Sequence, residues 1–216
     1  MALRVHWLQH AEHEGLGAIA PWLRRRGCRL TATRLQRGER LPGVRAFDWL
    51  IVMGGPMNIY QHDRYPWLVR EKDLINDACV TNKKVLGLCL GGQLLADVLG
   101  GPVTNQSSEI GWFDVEMTAE AARSRVFSDL ARAFPAFHWH GDTFAIPPRA
   151  RHVMRSAACA NQGFEADDGR LVGLQCHLEV RHSDVGRWVA EDPPAPGPWV
   201  QTPQEMSRSP ARFAAT

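Results

Sequence analysis

The feature that most constrains this chain is Gly87-Leu88-Cys89-Leu90-Gly91, a single thiol between two glycines where two apolar stretches meet. Residues 85–88 form an apolar run of strand length, and residues 90–99 read as an apolar helix stopped by Gly100-Gly101. Glycines on either side of Cys89 let a strand reverse sharply into a helix and leave the central side chain exposed, the form of a nucleophile elbow. The competing reading is a small buried hydrophobe, the usual fate of a free cysteine. A helix that only packed would carry alanine at positions 91 and 92, since each glycine costs about 1 kcal/mol of helix propensity. These glycines therefore predict a close backbone approach. At the first turn of a helix, unpaired amides and the helix dipole favour an anionic sulfur, the form that attacks a carbonyl, and the Leu90 amide would point at the resulting oxyanion.

The elbow sits in a regular rhythm. Strand signals at residues 5–8 and 29–34 flank a helix signal over 16–26 that ends at Gly27, an alternation that predicts an α/β fold with a parallel sheet. Asp48-Trp49-Leu50-Ile51-Val52-Met53 is nearly continuously apolar and ends in Gly54-Gly55-Pro56, as expected of a strand buried on both faces with a loop at its carboxyl end. Over residues 66–82 the apolar positions recur at helical spacing with Glu71, Lys72, Asp73 and Asp77 between them, which places Cys79 in the core. The second half is richer in strands, with candidates at 110–117, 136–140, 153–156 and 171–176.

After about Glu191 the run Asp192-Pro193-Pro194-Ala195-Pro196-Gly197-Pro198 predicts an extended connector. Thr202-Pro203-Gln204-Glu205 then supplies the N-cap, the first-position proline and the N3 glutamate of a short terminal helix. The expected division is one domain over 1–191 and a proline-rich extension over 192–216 whose last residues are loosely held.

Composition excludes several function classes. Lys and Arg number 25 against 23 Asp and Glu, and the only basic block is the Arg24-Arg25-Arg26 run at a helix end, so nucleic acid is not an expected partner. No run of about 18 apolar residues suggests a membrane span, and no apolar leader follows Met1, so a cytoplasmic location is expected. The five cysteines are widely spaced and lack Cys-x-x-Cys pairs, which reads as reduced thiols.

A cysteine nucleophile needs a base to protonate the departing amine and an acid to orient that base. Three segments offer a histidine two residues before a carboxylate: His140-Gly141-Asp142, His177-Leu178-Glu179 and His182-Ser183-Asp184. Residues two apart on a strand share a face, so spacing alone does not choose among them. Position favours His177 with Glu179, because the apolar run 171–176 delivers His177 to the carboxyl end of a strand, where open α/β sheets place their sites. His138 and His140 alternate on a predicted strand, and a zinc site using both is an open alternative; without further ligands such histidines are usually structural or exposed, and no metal site is expected.

These residues resemble a known family. Gly87-Leu88-Cys89-Leu90-Gly91-Gly92-Gln93 is similar to the Gly-x-Cys-x-Gly-x-Gln elbow of class I glutamine amidotransferases, and Gln175-Cys176-His177-Leu178-Glu179 to their His-x-Glu segment, in the same order along the chain. Met53-Gly54-Gly55-Pro56-Met57, Glu109-Ile110-Gly111-Trp112 and Trp139-His140-Gly141-Asp142-Thr143-Phe144 extend the resemblance to the free-standing, GMP-synthase-like branch, over about residues 3–190. One departure is Cys176, where the family usually carries an aromatic residue; on a strand it would face away from His177 and affect packing more than chemistry.

The resemblance implies a three-layer, doubly wound, mostly parallel sheet of flavodoxin-like type with a small antiparallel addition in the second half. It also implies a triad of Cys89, His177 and Glu179, an oxyanion hole from the Gly55 and Leu90 amides, and Gln93 near a bound glutamine. The activity implied is glutaminase-type hydrolysis through a γ-glutamyl thioester on Cys89, with no metal or organic cofactor. The implied partners are glutamine or another γ-glutamyl amide and a separate ammonia-accepting synthase subunit. A catalytically silent regulatory subunit on the same fold is the alternative, and the intact Cys89, His177 and Glu179 argue against it.

Overall fold

A computed structural model describes residues 2–208, so the end of the 192–216 extension and its expected loose hold lie outside the described residues. The first half alternates as the apolar pattern requires: β1 (Arg4–Gln9), α1 (Ile19–Arg25), β2 (Arg29–Arg34), β3 (Trp49–Val52), α2 (Trp67–Val80), β4 (Lys84–Leu88) and α3 (Leu90–Val98). The second half adds β5 (Val103–Met117), β6 (Ala133–Phe144), β7 (Arg151–Ser156), β8 (Gly163–Ala166), β9 (Leu171–Leu174), α4 (His182–Glu191), β10 (Trp199–Val200) and α5 (Pro203–Ser207).

Strands β2, β1, β3, β4 and β9 lie side by side and all parallel, the flavodoxin-like order with β9 in the fifth place. In β3, Leu50 and Val52 pack against α2 and α3, while Ile51 faces the α1 side with Val5, Leu23 and Leu88. Both faces of the strand are dry, which is why its sequence is apolar throughout rather than alternating. Among the described residues, no helix is long and apolar enough to cross a membrane.

The sheet continues past β9 through β8, β7 and β5, each antiparallel to its neighbour, with β6 paired along β5. This antiparallel part is larger than the sequence suggests. Strand β8 is only Gly163-Phe164-Glu165-Ala166, too short to show an alternation, and β5 extends seven residues upstream of the expected start at residue 110 through the polar segment 103–109. Beyond the prolines, β10 pairs parallel with β5, and Gln201 exchanges side-chain hydrogen bonds of 2.9 Å with both backbone groups of Trp112. Helix α5 begins with the expected capping box at Thr202 and buries Met206 against Trp112, Phe137, Val185 and Trp188.

Helix α1 begins later than the 16–26 expectation. Gly17 sits at φ +45°, a Cβ there would overlap the Glu179 carbonyl, and the Ala18 amide donates 2.8 Å to that same oxygen. The residues before Ile19 are thus a strut that holds the segment carrying Glu179.

The close approach predicted at the elbow is present. A Cβ on Gly91 would overlap the Val52 carbonyl oxygen, and one on Gly92 would crowd that of Leu174. The Gly91 amide donates 3.2 Å to Met53 and the Cys89 amide 2.8 Å to Leu174, so the first turn of α3 is bonded to the ends of β3 and β9. In an ordinary helix, Gly→Ala stabilises by about 1 kcal/mol. Here Gly91→Ala should instead destabilise by about 2 kcal/mol or more, since the clash is with backbone. Urea unfolding midpoints of the two proteins measure this, and a stabilised variant would contradict the packing described.

Candidate active site

Cys89 is held at φ +50°, ψ −108°, a conformation that costs a non-glycine residue about 1–3 kcal/mol and persists only where its surroundings enforce it. The enforcing contacts are the two backbone bonds at the start of α3. The turn leaves the thiol 3.7 Å from the Trp139 carbonyl, with the Gln175 amide nitrogen donating to the sulfur at 3.6 Å. Cys89 lines a cavity of about 370 Å³ between the carboxyl ends of the parallel strands and the β5–β6 hairpin.

His177 follows β9 and is pinned to β6 by two backbone hydrogen bonds with Phe137, of 2.8 and 3.2 Å. Its Nδ1 lies 2.7 Å from Glu179 Oε1, and both side chains are buried. Among the described residues Nε2 has no formed hydrogen bond, and Cys89 acts on the ring's charge beside Glu179. Burial alone would lower the His177 pKa, but Glu179 and the Cys89 sulfur outweigh it and hold the pKa well above the ordinary histidine value. The Trp188 ring of α4 stands edge-on to the imidazole at 4.9 Å and closes that side against water.

The two other histidine–carboxylate segments do not form pairs. His140 Nδ1 meets the backbone carbonyl of Asp142 at 3.2 Å, while the Asp142 carboxylate takes hydrogen bonds from Asn58 and Asn105. His182 is exposed at the start of α4, where the Asp184 carboxylate accepts from the Arg181 amide. Cys176 points away from His177, as expected, into the core beside Met154.

The loop after β3 brings Gly55 against Leu90, with the Leu90 side chain at the position a Cβ on Gly55 would crowd. With the Gly91 amide bonded to Met53 and that of Gln93 to Cys89, the Leu90 amide is left free of backbone acceptors among the described residues. Beneath this loop lies a pair that sequence inspection missed. His10 donates from Nδ1 to the Gly54 carbonyl at 2.9 Å, and its Nε2 meets Glu71 Oε1 at 2.8 Å, with both side chains fully buried. Burial opposes charge on His10, yet Glu71, Glu14 and the Gly54 carbonyl together raise its pKa. Glu71 reads as a solvated position of α2 from spacing alone, and only its contact with the end of β1 explains its burial.

Gln93 donates from Nε2 to Gln175 Oε1 at 3.2 Å and to the Asp142 carbonyl at 3.3 Å, so a chain of side-chain amides runs along the cavity wall to the Cys89 sulfur. Gln175 is a second residue the sequence did not single out. Glu14 is a third: it is buried at the edge of the same cavity beside Gly54 and His177. Burial pushes its carboxyl up to about 7, against the pull of His177 and His10 and with a further push from Glu179. Both His10 and Glu14 follow β1, and the carboxyl end of a parallel strand was the available signal.

The chain matches the family model for class I glutamine amidotransferases over residues 16–192. With this fold and this thiol–imidazole–carboxylate arrangement, it belongs to the class I glutamine amidotransferase family. It is 32% identical over 183 residues to the glutamine amidotransferase-like protein YfeJ of Salmonella typhimurium, covering 82% of this chain and 76% of that one. A GMP synthase of Thermomicrobium roseum is 36% identical over 141 residues, covering 63% of this chain but only 24% of that enzyme. The crystal structure of a glutamine amidotransferase from Methylobacillus flagellatus superposes with a TM-score of 0.89 at 34% identity, covering 100% of this chain and 90% of that one.

The raised pKa of Glu14 has a measurable sign. An acid whose folded pKa exceeds its unfolded one stabilises fully below the unfolded value, and that contribution is lost as pH rises from 4.5 to about 7. Glu14→Gln, neutral throughout, should melt above the parent once pH exceeds about 7, with the gap closing toward pH 4.5. Thermal unfolding by circular dichroism across that range tests this, and a gap independent of pH would contradict it.

Proposed function

We propose that the chain is a cysteine amidohydrolase that releases ammonia from the side-chain amide of glutamine. The observation that carries this reading is the buried 2.7 Å His177–Glu179 pair, whose remaining ring nitrogen has, among the described residues, no partner other than the Cys89 sulfur.

The Cys89 thiolate attacks the side-chain carbonyl carbon of glutamine and the carbonyl electrons move onto oxygen, where the Gly55 and Leu90 amides receive them. A donor of this kind is worth about 3 kcal/mol in the transition state. The C–N bond then breaks as His177 delivers its proton to the nitrogen, leaving ammonia and a γ-glutamyl thioester. His177, now neutral, takes a proton from water; the hydroxide adds to the thioester, the C–S bond breaks, and glutamate leaves with the thiolate restored. Glu179 keeps the proton on Nδ1 and stabilises the imidazolium, Gln93 lines the substrate side, and Trp188 excludes bulk water. We assign this machinery to residues 1–191 and treat 192–216 as a proline-rich extension, whose Met206 packs against Val185 and Trp188 of α4. The ammonia would pass to a separate acceptor-bearing synthase subunit.

A second reading keeps the chemistry and changes the substrate. Among the described residues the cavity wall carries Asp142 and Asp192, with Glu14 joining them as a charge above about pH 7, and no lysine or arginine, an electrostatic setting that suits a γ-glutamyl amide whose amine portion bears a positive charge. Ammonia release from glutamine, measured beside amine release from a panel of neutral and cationic γ-glutamyl amides, separates the two.

For either substrate, Cys89→Ala should abolish turnover. Glu179→Gln should lower kcat/KM by about 10²–10⁴. Because Glu179 raises the His177 pKa, the alkaline limb of kcat/KM should lie above the ordinary histidine value in the parent and move to lower pH in Glu179→Gln. A limb unmoved by that substitution would remove His177 from the proton-transfer role.

A further inference from the structure

Within the β5–β6 hairpin that walls the cavity of the reactive pair, three buried side chains converge that the hydrolytic scheme does not use. Glu109 of β5 lies directly across the antiparallel ladder from His140 of β6, and His138 is two residues earlier on the same strand. Their ligand-type atoms all lie within 4.8 Å of one another, with His140 Nε2 3.3 Å and His138 Nδ1 3.6 Å from Glu109 Oε2. In sequence the two histidines stand without a third ligand; the register of the hairpin supplies it.

The polar groups of this cluster are left short of partners. His138 is fully buried, and among the described residues neither of its ring nitrogens reaches a formed hydrogen bond, although the Phe113 backbone lies near enough to act on the ring's charge. Glu109 Oε1 is also buried and unpartnered. Buried polar atoms in this condition are costly unless something occupies the space between them.

His140 sharpens the point. Its Nδ1 faces the Asp142 carbonyl, which can only accept, so Nδ1 carries a proton and, in the neutral ring, the lone pair of Nε2 is aimed at the Glu109 carboxylate. These two lone-pair-bearing atoms are bridged by the Gln162 amide nitrogen, and a proton or a metal ion set between them would serve the same end. A tetrahedral zinc with bonds of about 2.0–2.1 Å separates its ligand atoms by about 3.3–3.4 Å, close to the 3.3 and 3.6 Å from Glu109 Oε2 to the two imidazoles. The Nδ1–carbonyl contact is also the usual outer-shell bond that fixes the tautomer of a metal-binding histidine.

We propose that Glu109, His138 and His140 form a binding site for a divalent transition-metal ion of the zinc type. Two imidazoles and one carboxylate suit such an ion, whereas magnesium and calcium favour oxygen ligands alone. Gln162 completes the setting: its amide nitrogen is 2.7 Å from Glu109 Oε2 and 3.3 Å from His140 Nε2, while its oxygen is buried without a partner. Turned over, that amide offers its oxygen as a fourth ligand, and Ser156 stays bonded to Glu109 at 3.0 Å as outer-shell support. His140 also lines the cavity that holds Cys89, which provides the entry path.

The test uses the full chain carrying Cys89→Ala, so that the thiol in the same cavity cannot compete. After stripping with a chelator, titration with zinc should load one equivalent per chain and raise the melting temperature. Cobalt should give the absorption of a four-coordinate nitrogen–oxygen site without a thiolate charge-transfer band. Adding His138→Gln or Glu109→Gln should weaken uptake by at least about tenfold, with each variant's metal-free melt reporting whether it is folded. Absence of stoichiometric uptake, a thiolate band, or uptake unchanged in folded variants would each overturn the proposal. If neither variant folds, the stoichiometry and cobalt spectrum of the Cys89→Ala parent decide it.

Discussion

The candidate site depends on one contact, the seating of the first turn of α3 directly on the carbonyl ends of β3 and β9. Only residues without a Cβ fit at positions 91 and 92, because Val52 and Leu174 carbonyl oxygens occupy the space a side chain would take. The bonds from Gly91 to Met53 and from Cys89 to Leu174 fasten the turn there, and the strained φ of Cys89 is the result. A looser packing would relax Cys89 into ordinary helical geometry and swing the thiol away from both His177 and the Leu90 amide. Packing in the core thus sets the chemistry at the surface of the cavity.

Two buried histidine–carboxylate pairs flank that contact, and each serves a different part of the site. His177 with Glu179 faces the thiol, while His10 with Glu71 holds the loop of Gly54 and Gly55 from beneath. Buried charges are costly unless paired and hydrogen-bonded, and breaking one partner of such a pair is more damaging than never having built it. The pairs survive here because rigid backbone positions every member: Phe137 pins His177, the Gly17–Ala18 strut holds Glu179, and α2 presents Glu71. Exclusion of water by Trp188 then strengthens every electrostatic interaction inside.

How much of this was legible in the sequence follows from the range over which each signal acts. The parallel half of the sheet was readable because continuous apolar runs and helical spacing are local, and the glycines at 91 and 92 announced their close approach. The pairing of His177 with Glu179 was readable from its place after the apolar run 171–176, since the two-residue spacing is shared by His140–Asp142 and His182–Asp184, which do not pair. Contacts between distant segments were not readable. Glu71 looked solvated until α2 met the end of β1, Glu109 and His138 meet only through the hairpin register, and Gly17 gave no hint of lying against Glu179. The proline-rich run signalled a connector but not that the chain after it returns to pair with β5 and bury Met206.

The account rests on Cys89 being the atom that attacks the γ-carbonyl. Incubation of the intact protein with an electrophilic glutamine analogue, followed by mass analysis of the whole chain and of its peptides, measures this directly. The account predicts one adduct per chain, located on the peptide containing Cys89, formed at a rate that falls sharply in His177→Ala and is kept in His140→Ala. An adduct on another cysteine, or turnover by a protein that remains unlabelled at Cys89, would contradict it.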